Sequence, residues 1–113
     1  MLRTKERRKT KRFTTRLRVF EQETNALVGY CDDISISGLK LMSSVPQPAN
    51  KELRVWLDGA GKDDGIPLTL FRVWNSVTDT EPRYYYAGMH IVEASEQALD
   101  RIQGLIDHLV IDN

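Results

Sequence analysis

Leu27-Val28-Gly29-Tyr30-Cys31-Asp32-Asp33-Ile34-Ser35-Ile36-Ser37-Gly38-Leu39-Lys40-Leu41-Met42 is the stretch on which the fold turns. Its first ten residues are rich in apolar and β-branched side chains and predict a strand from about Leu27 to Ile36. Gly38 breaks that strand, and Leu39-Lys40-Leu41-Met42 begins another. Strand alternation places Asp33 and Ser35 on one face and points Ile34 and Ile36 into a core. Two strands joined by so short a turn predict an antiparallel pair.

The same grammar continues on both sides. Upstream, Arg16-Leu17-Arg18-Val19-Phe20 starts an alternation typical of a half-buried strand. Downstream, Pro46 and Pro48 mark a loop before Leu53-Arg54-Val55-Trp56-Leu57, which alternates cleanly. Asp58 to Gly65, rich in Gly and Asp, predicts a turn or loop. In the strand from Ile66 to Val77, Val73 falls out of phase with Leu68 and Leu70, which predicts a bulge near Arg72. Pro82 precedes Tyr84 to Val92, where Tyr85, Ala87, Met89 and Ile91 share one face. After Ser95, a good N-cap, Leu99, Ile102, Leu105, Ile106, Leu109 and Val110 recur at helical spacing. Six short strands followed by one amphipathic helix at about 95–110 predict a mainly β protein, an antiparallel barrel with a helix packed on it.

Composition bounds the rest. A chain of 113 residues is about one domain's worth, and its 41% hydrophobic content is ordinary for a globular protein. No apolar run approaches a transmembrane helix, and the N-terminal charges lack the apolar stretch of a signal peptide. The single cysteine, Cys31, excludes an internal disulfide, so a cytoplasmic setting is expected. The net charge of zero conceals an asymmetry. Residues 1–18 hold nine basic residues and one acid, a net +8, leaving seven basic and fifteen acidic residues, a net −8, in the rest. Residues 1–14 are therefore expected to be a flexible basic arm and 15–113 a single barrel domain. Such an arm wants an anion.

Nothing in the sequence suggests catalysis. His90 and His108 have no cysteine or acid at metal-ligand spacing, and no metal site is expected. Alternation puts His90 on the outer strand face, while His108 suits a helix C-terminus as a cation. Asp32 and Asp33 beside Cys31 raise its pKa rather than activate it. No phosphate loop, dinucleotide fingerprint or nucleophile elbow is present. The expected class is a non-enzymatic binding module without a cofactor.

Two segments remain that suit a ligand. In Arg7-Arg8-Lys9-Thr10-Lys11-Arg12, Arg8 and Arg12 lie four apart, and guanidinium donates paired hydrogen bonds to phosphate or guanine. In Asp33-Ile34-Ser35-Ile36-Ser37-Gly38, a carboxylate and a hydroxyl share a face, and glycine permits a tight turn or a close backbone approach. Alone, the first reads equally as a solvated charge run and the second as a polar strand face. Together, Arg-x-x-x-Arg and Asp-x-Ser-x-x-Gly, in this order and with the Gly88-Met89-His90-Ile91-Val92 strand, resemble the PilZ family over nearly the whole chain.

That resemblance implies a six-stranded split β-barrel with a C-terminal helix, acting as a bacterial receptor for cyclic di-GMP. It implies that Arg8 and Arg12 contact guanines and phosphates, that Asp33 and Ser35 hydrogen-bond from the strand, and that Gly38 lets the chain turn against the ligand. Trp74 matches a position that sets a side chain against a guanine, with barrel packing as its alternative. Arg7, just before the motif, goes in the family with two intercalated ligand molecules. The arm is then expected to order on binding and alter a surface offered to an unidentified protein partner.

Two rival readings belong to other classes. A small nucleic-acid-binding barrel would use the arm on phosphates and the tyrosines Tyr84 to Tyr86 on bases. The acidic body opposes it, and alternation leaves only Tyr84 and Tyr86 outside. A PilZ-like adaptor without ligand is opposed by the intact motifs. The terminal helix can cap its own barrel with little apolar surface to spare, so a monomer or a weak homodimer is expected.

Overall fold

The computed structural model describes residues 16–111, with side chains as far as Asp107. Arg7, Arg8 and Arg12, with the whole 1–14 arm, lie outside the described residues, as does the side chain of His108. The strands are β1 (Leu17–Glu21), β2 (Leu27–Ile34), β3 (Gly38–Ser43), β4 (Glu52–Leu57), β5 (Ile66–Val77) and β6 (Tyr85–Glu93). A single helical turn, α1 (Gly61–Asp64), interrupts the β4–β5 connection, and α2 (Glu96–Ile111) follows β6.

All neighbouring strands pair antiparallel, and the sheet closes on itself in the order β1-β2-β3-β6-β5-β4. Closure leaves no edge to protect. The inward positions of every strand supply the core: Val19, Cys31, Ile34, Leu41, Val55, Leu57, Leu68, Leu70, Ala87 and Met89 are buried. Ala98, Ile102 and Ile106 of α2, spaced at helical intervals, complete it from one end of the barrel.

That end is built by local chemistry. The Ser95 hydroxyl accepts the Ala98 amide at 3.0 Å, an N-cap of the kind that stabilises a helix by about 1 kcal/mol. The Arg101 guanidinium donates to the Gly65 and Asp64 carbonyls at 3.0 and 3.2 Å, fastening the helix to the β4–β5 connection. At the other end, buried Gln47 donates to the Ser43 hydroxyl at 3.2 Å, and Arg72 donates to the Gln47 carbonyl at 2.7 Å. These bonds hold the β3–β4 loop against β5.

Three local expectations are corrected. β2 stops at Ile34 rather than Ile36, and Ile36 is 49% exposed instead of pointing inward. The cause is an extra residue, Asp32, between the pairs Cys31↔Leu41 and Asp33↔Lys40. This bulge lets Cys31 and Ile34, three apart, both face the core. Ser35 to Ser37 then leave the sheet as a turn, in which the Ser35 amide donates to the Gly38 carbonyl at 2.9 Å and the two hydroxyls lie 3.2 Å apart. Gly38 is not the residue that breaks β2, which ends at Ile34: it opens β3. Finally, α1 had no apolar periodicity to announce it. Elsewhere the pattern holds, including the bulge near Arg72, where Val73 has no partner between Arg72↔Met89 and Trp74↔Gly88.

Candidate functional site

Asp33 and Trp74 are 41 positions apart in sequence, yet one row of register partners joins them. Asp33 on β2 pairs with Lys40 on β3, Lys40 with Gly88 on β6, and Gly88 with Trp74 on β5. The row crosses the outer face of four strands. Asp33 and Trp74 each stand immediately after a bulge residue, Asp32 and Val73 respectively. A bulge re-aims the side chain that follows it. With Asp32 in regular register, strict alternation would send Asp33 to the same side as buried Cys31. Both walls of the site thus depend on irregular positions.

The row forms part of an open cleft of about 490 Å³, whose lining includes Asp33, Ser35, Gly38, Lys40, Trp74, Gly88 and His90. That volume is in the range of small-molecule sites, about 300–1,000 Å³. Its floor is bare because two glycines lie diagonally across β3 and β6. Gly88 carries the Trp74 indole directly, and a Cβ there would overlap Nε1 and Cε2 of the ring. The indole is 47% exposed, so one face rests on the strand while much of the ring stays open to solvent. A Cβ at Gly38 would overlap the Met89 carbonyl oxygen, so the close approach that demands glycine is made to β6.

Electrostatically the cleft is mixed. The Lys40 ammonium lies 3.7 Å from Asp32 Oδ2 and 5.3 Å from the centroid of the Tyr86 ring. Cys31, on the inner face of β2, is fully buried, and its thiol donates to the Asp33 carbonyl at 3.6 Å. Burial pushes that thiol up to about 12, and the charges of Asp33 and Asp32 add to the rise. It is inert at neutral pH. Among the described residues, no group of three His, Cys, Asp or Glu side chains is placed to hold a metal ion.

The structure therefore brings four of the residues singled out in the sequence, Asp33, Ser35, Gly38 and Trp74, onto one cleft. Three further lining residues, Lys40, Gly88 and His90, were not assigned to a site. Alternation had placed His90 on the outer face, where it is indeed exposed. The missing information was that β6 pairs with β3. Of the tyrosines, Tyr84 is 40% exposed, and Tyr85 and Tyr86 are both half-buried.

The sequence model of one family, described as the PilZ domain, matches residues 6–108. The chain belongs to the PilZ domain family. Among solved structures, this PilZ domain is similar to the "PilZ domain with c-di-GMP of YcgR from Escherichia coli". The TM-score is 0.66 at 12% identity, over 94% of this chain and 93% of that one. At that identity the likeness speaks for a shared fold. No curated protein matches the sequence. Among the described residues of this PilZ domain, no helix is long and apolar enough to cross a membrane.

Proposed function

We propose that this PilZ domain is a cytoplasmic cyclic di-GMP receptor whose ligand lies in the Asp33–Trp74 cleft and is closed over by the arginine arm. The observation that carries the proposal is the convergence of Asp33, Ser35, Gly38 and Trp74 on one open cleft. Trp74 offers a guanine a flat face, and Asp33 offers its N–H groups an acceptor. The ligand's phosphates meet only one permanent cation in the cleft lining among the described residues, Lys40. The remaining positive charge must come from elsewhere.

The arm supplies it. β1 opens at Leu17 opposite Cys31, so the chain enters the barrel beside the Asp33 end of β2. An extended chain advances about 3.3 Å per residue, so Arg12 reaches about 16 Å from Leu17 and Arg8 about 30 Å. Neighbouring strands lie about 4.8 Å apart, so the path from β1 over β2, β3 and β6 to β5 is about 19 Å. Arg8 can therefore reach the whole row, and Arg12 can reach as far as β6. Fixing the arm costs about 1–2 kcal/mol per residue, and several charge-assisted bonds of about 1.5–3 kcal/mol each can offset this. Once fixed, the arm changes the surface that a protein partner meets, and the output is an altered contact with no chemical product.

Calorimetric titration of cyclic di-GMP into the chain tests the proposal. Binding that weakens as salt rises is expected, because part of the attraction is between exposed charges. Arg7 adds a third guanidinium, and saturation at two ligands per chain is expected from it. A one-to-one endpoint would remove Arg7 from that role, and no heat at any salt would remove the receptor reading altogether.

A further inference from the structure

Lys40 belongs to neither motif, yet it stands in the middle of the row between Asp33 and Gly88. Its stem projects outward from β3, and its ammonium is shared between Asp32 at 3.7 Å and the face of Tyr86 at 5.3 Å. Both members of the ion pair are partly exposed, 37% for Lys40 and 27% for Asp32. An exposed lysine–carboxylate pair of this kind is weak and readily exchanged. Lys40 itself lines the cleft, and the Tyr86 ring beside it attracts the positive charge without neutralising it.

We propose that Lys40 is the barrel's own contact to a ligand phosphate, and that Asp32 competes with the ligand for it and so sets the affinity. The inference rests on the cleft being the cyclic di-GMP site. Asp32 is the bulge residue next to Asp33, so two adjacent carboxylates supply an acceptor for the base and a competitor for the cation. A phosphodiester oxygen arriving in the row replaces the Asp32 carboxylate as the partner of the ammonium. The displaced carboxylate returns to water, which its exposure allows.

The test is calorimetry with cyclic di-GMP on the full chain, comparing wild type, Lys40→Met, Lys40→Arg, Asp32→Asn and the Asp32→Asn, Lys40→Met double variant. Lys40→Met keeps the apolar stem over Tyr86 and should bind about tenfold more weakly, as loss of a charge-assisted contact implies. Its salt dependence should also be shallower than that of wild type. Lys40→Arg should retain most of the affinity. Asp32→Asn should bind roughly two- to fivefold more tightly, the worth of an exposed ion pair. In the Lys40→Met background, Asp32→Asn should add little. Wild-type affinity in Lys40→Met overturns the inference. So does an Asp32→Asn gain that is equally large without Lys40, since that is a general charge effect. Absence of binding by the wild type is a different result and overturns the receptor reading itself.

Discussion

Replacing Arg8 and Arg12 together by alanine lowers the affinity for cyclic di-GMP at least a hundredfold and leaves the melting temperature unchanged. The expectation follows from the charge map. The described barrel carries an acidic balance, and Lys40 is the one permanent cation in the cleft lining among the described residues. Each arginine bonded to a phosphate or guanine contributes about 1.5–3 kcal/mol. Losing two therefore removes about 3–6 kcal/mol, and every 1.4 kcal/mol is about tenfold in affinity. The fold should not notice, since the described core runs from Leu17 to Ile106 and is sealed by α2. Calorimetry paired with a thermal melt checks both halves. A double variant that still binds within a few fold of wild type would show that the arm is a solvated tail after all.

Gly88→Ala should be nearly as damaging to binding, for a reason that only the structure supplies. The methyl group would occupy the position of the Trp74 indole, a rigid fused ring that cannot yield as a flexible chain would. The ring must lift or swing away, and its solvent face no longer parallels the strand. Stacking a base on an aromatic side chain contributes about 1–3 kcal/mol, so a loss of roughly tenfold to a hundredfold is expected. If the two residues act as one platform, Trp74→Ala should lose as much, and combining the two substitutions should add little. Tryptophan emission gives a second readout, with Trp56 on β4 as background, where its indole donates to Asn25 Oδ1 at 3.0 Å. Wild-type affinity in Gly88→Ala alongside a weakened Trp74→Ala would mean that the indole works from another position.

The contrast between these two predictions reflects what the amino-acid sequence can disclose. Strand and helix identities were legible because they depend on neighbours along the chain, as Leu53-Arg54-Val55-Trp56-Leu57 and the Ser95-capped helix illustrate. One bulge was legible too, since Val73 breaks the phase of a long strand. The other was not. Ser35 and Ile36 prolong the alternation of β2 on paper, and only the burial of both Cys31 and Ile34 reveals the extra residue at Asp32. Lys40 and Gly88 escaped for a further reason. Their place in the site comes from the pairing of β3 with β6, strands separated by two others in sequence. No local pattern encodes that pairing, so the motif residues were readable while the cleft that unites them was not.

Cyclic di-GMP in the proposed site would touch residues of four strands between Asp33 and Trp74. The most direct measurement is the amide and indole spectrum of nitrogen-labelled protein as cyclic di-GMP is added. Saturable shifts are expected at Asp33, Ser35, Gly38, Lys40, Gly88 and His90, together with the Trp74 indole N–H. Shifts confined to the opposite end of the barrel, around Val45 and Tyr84, or a spectrum that does not change at all, would contradict that site.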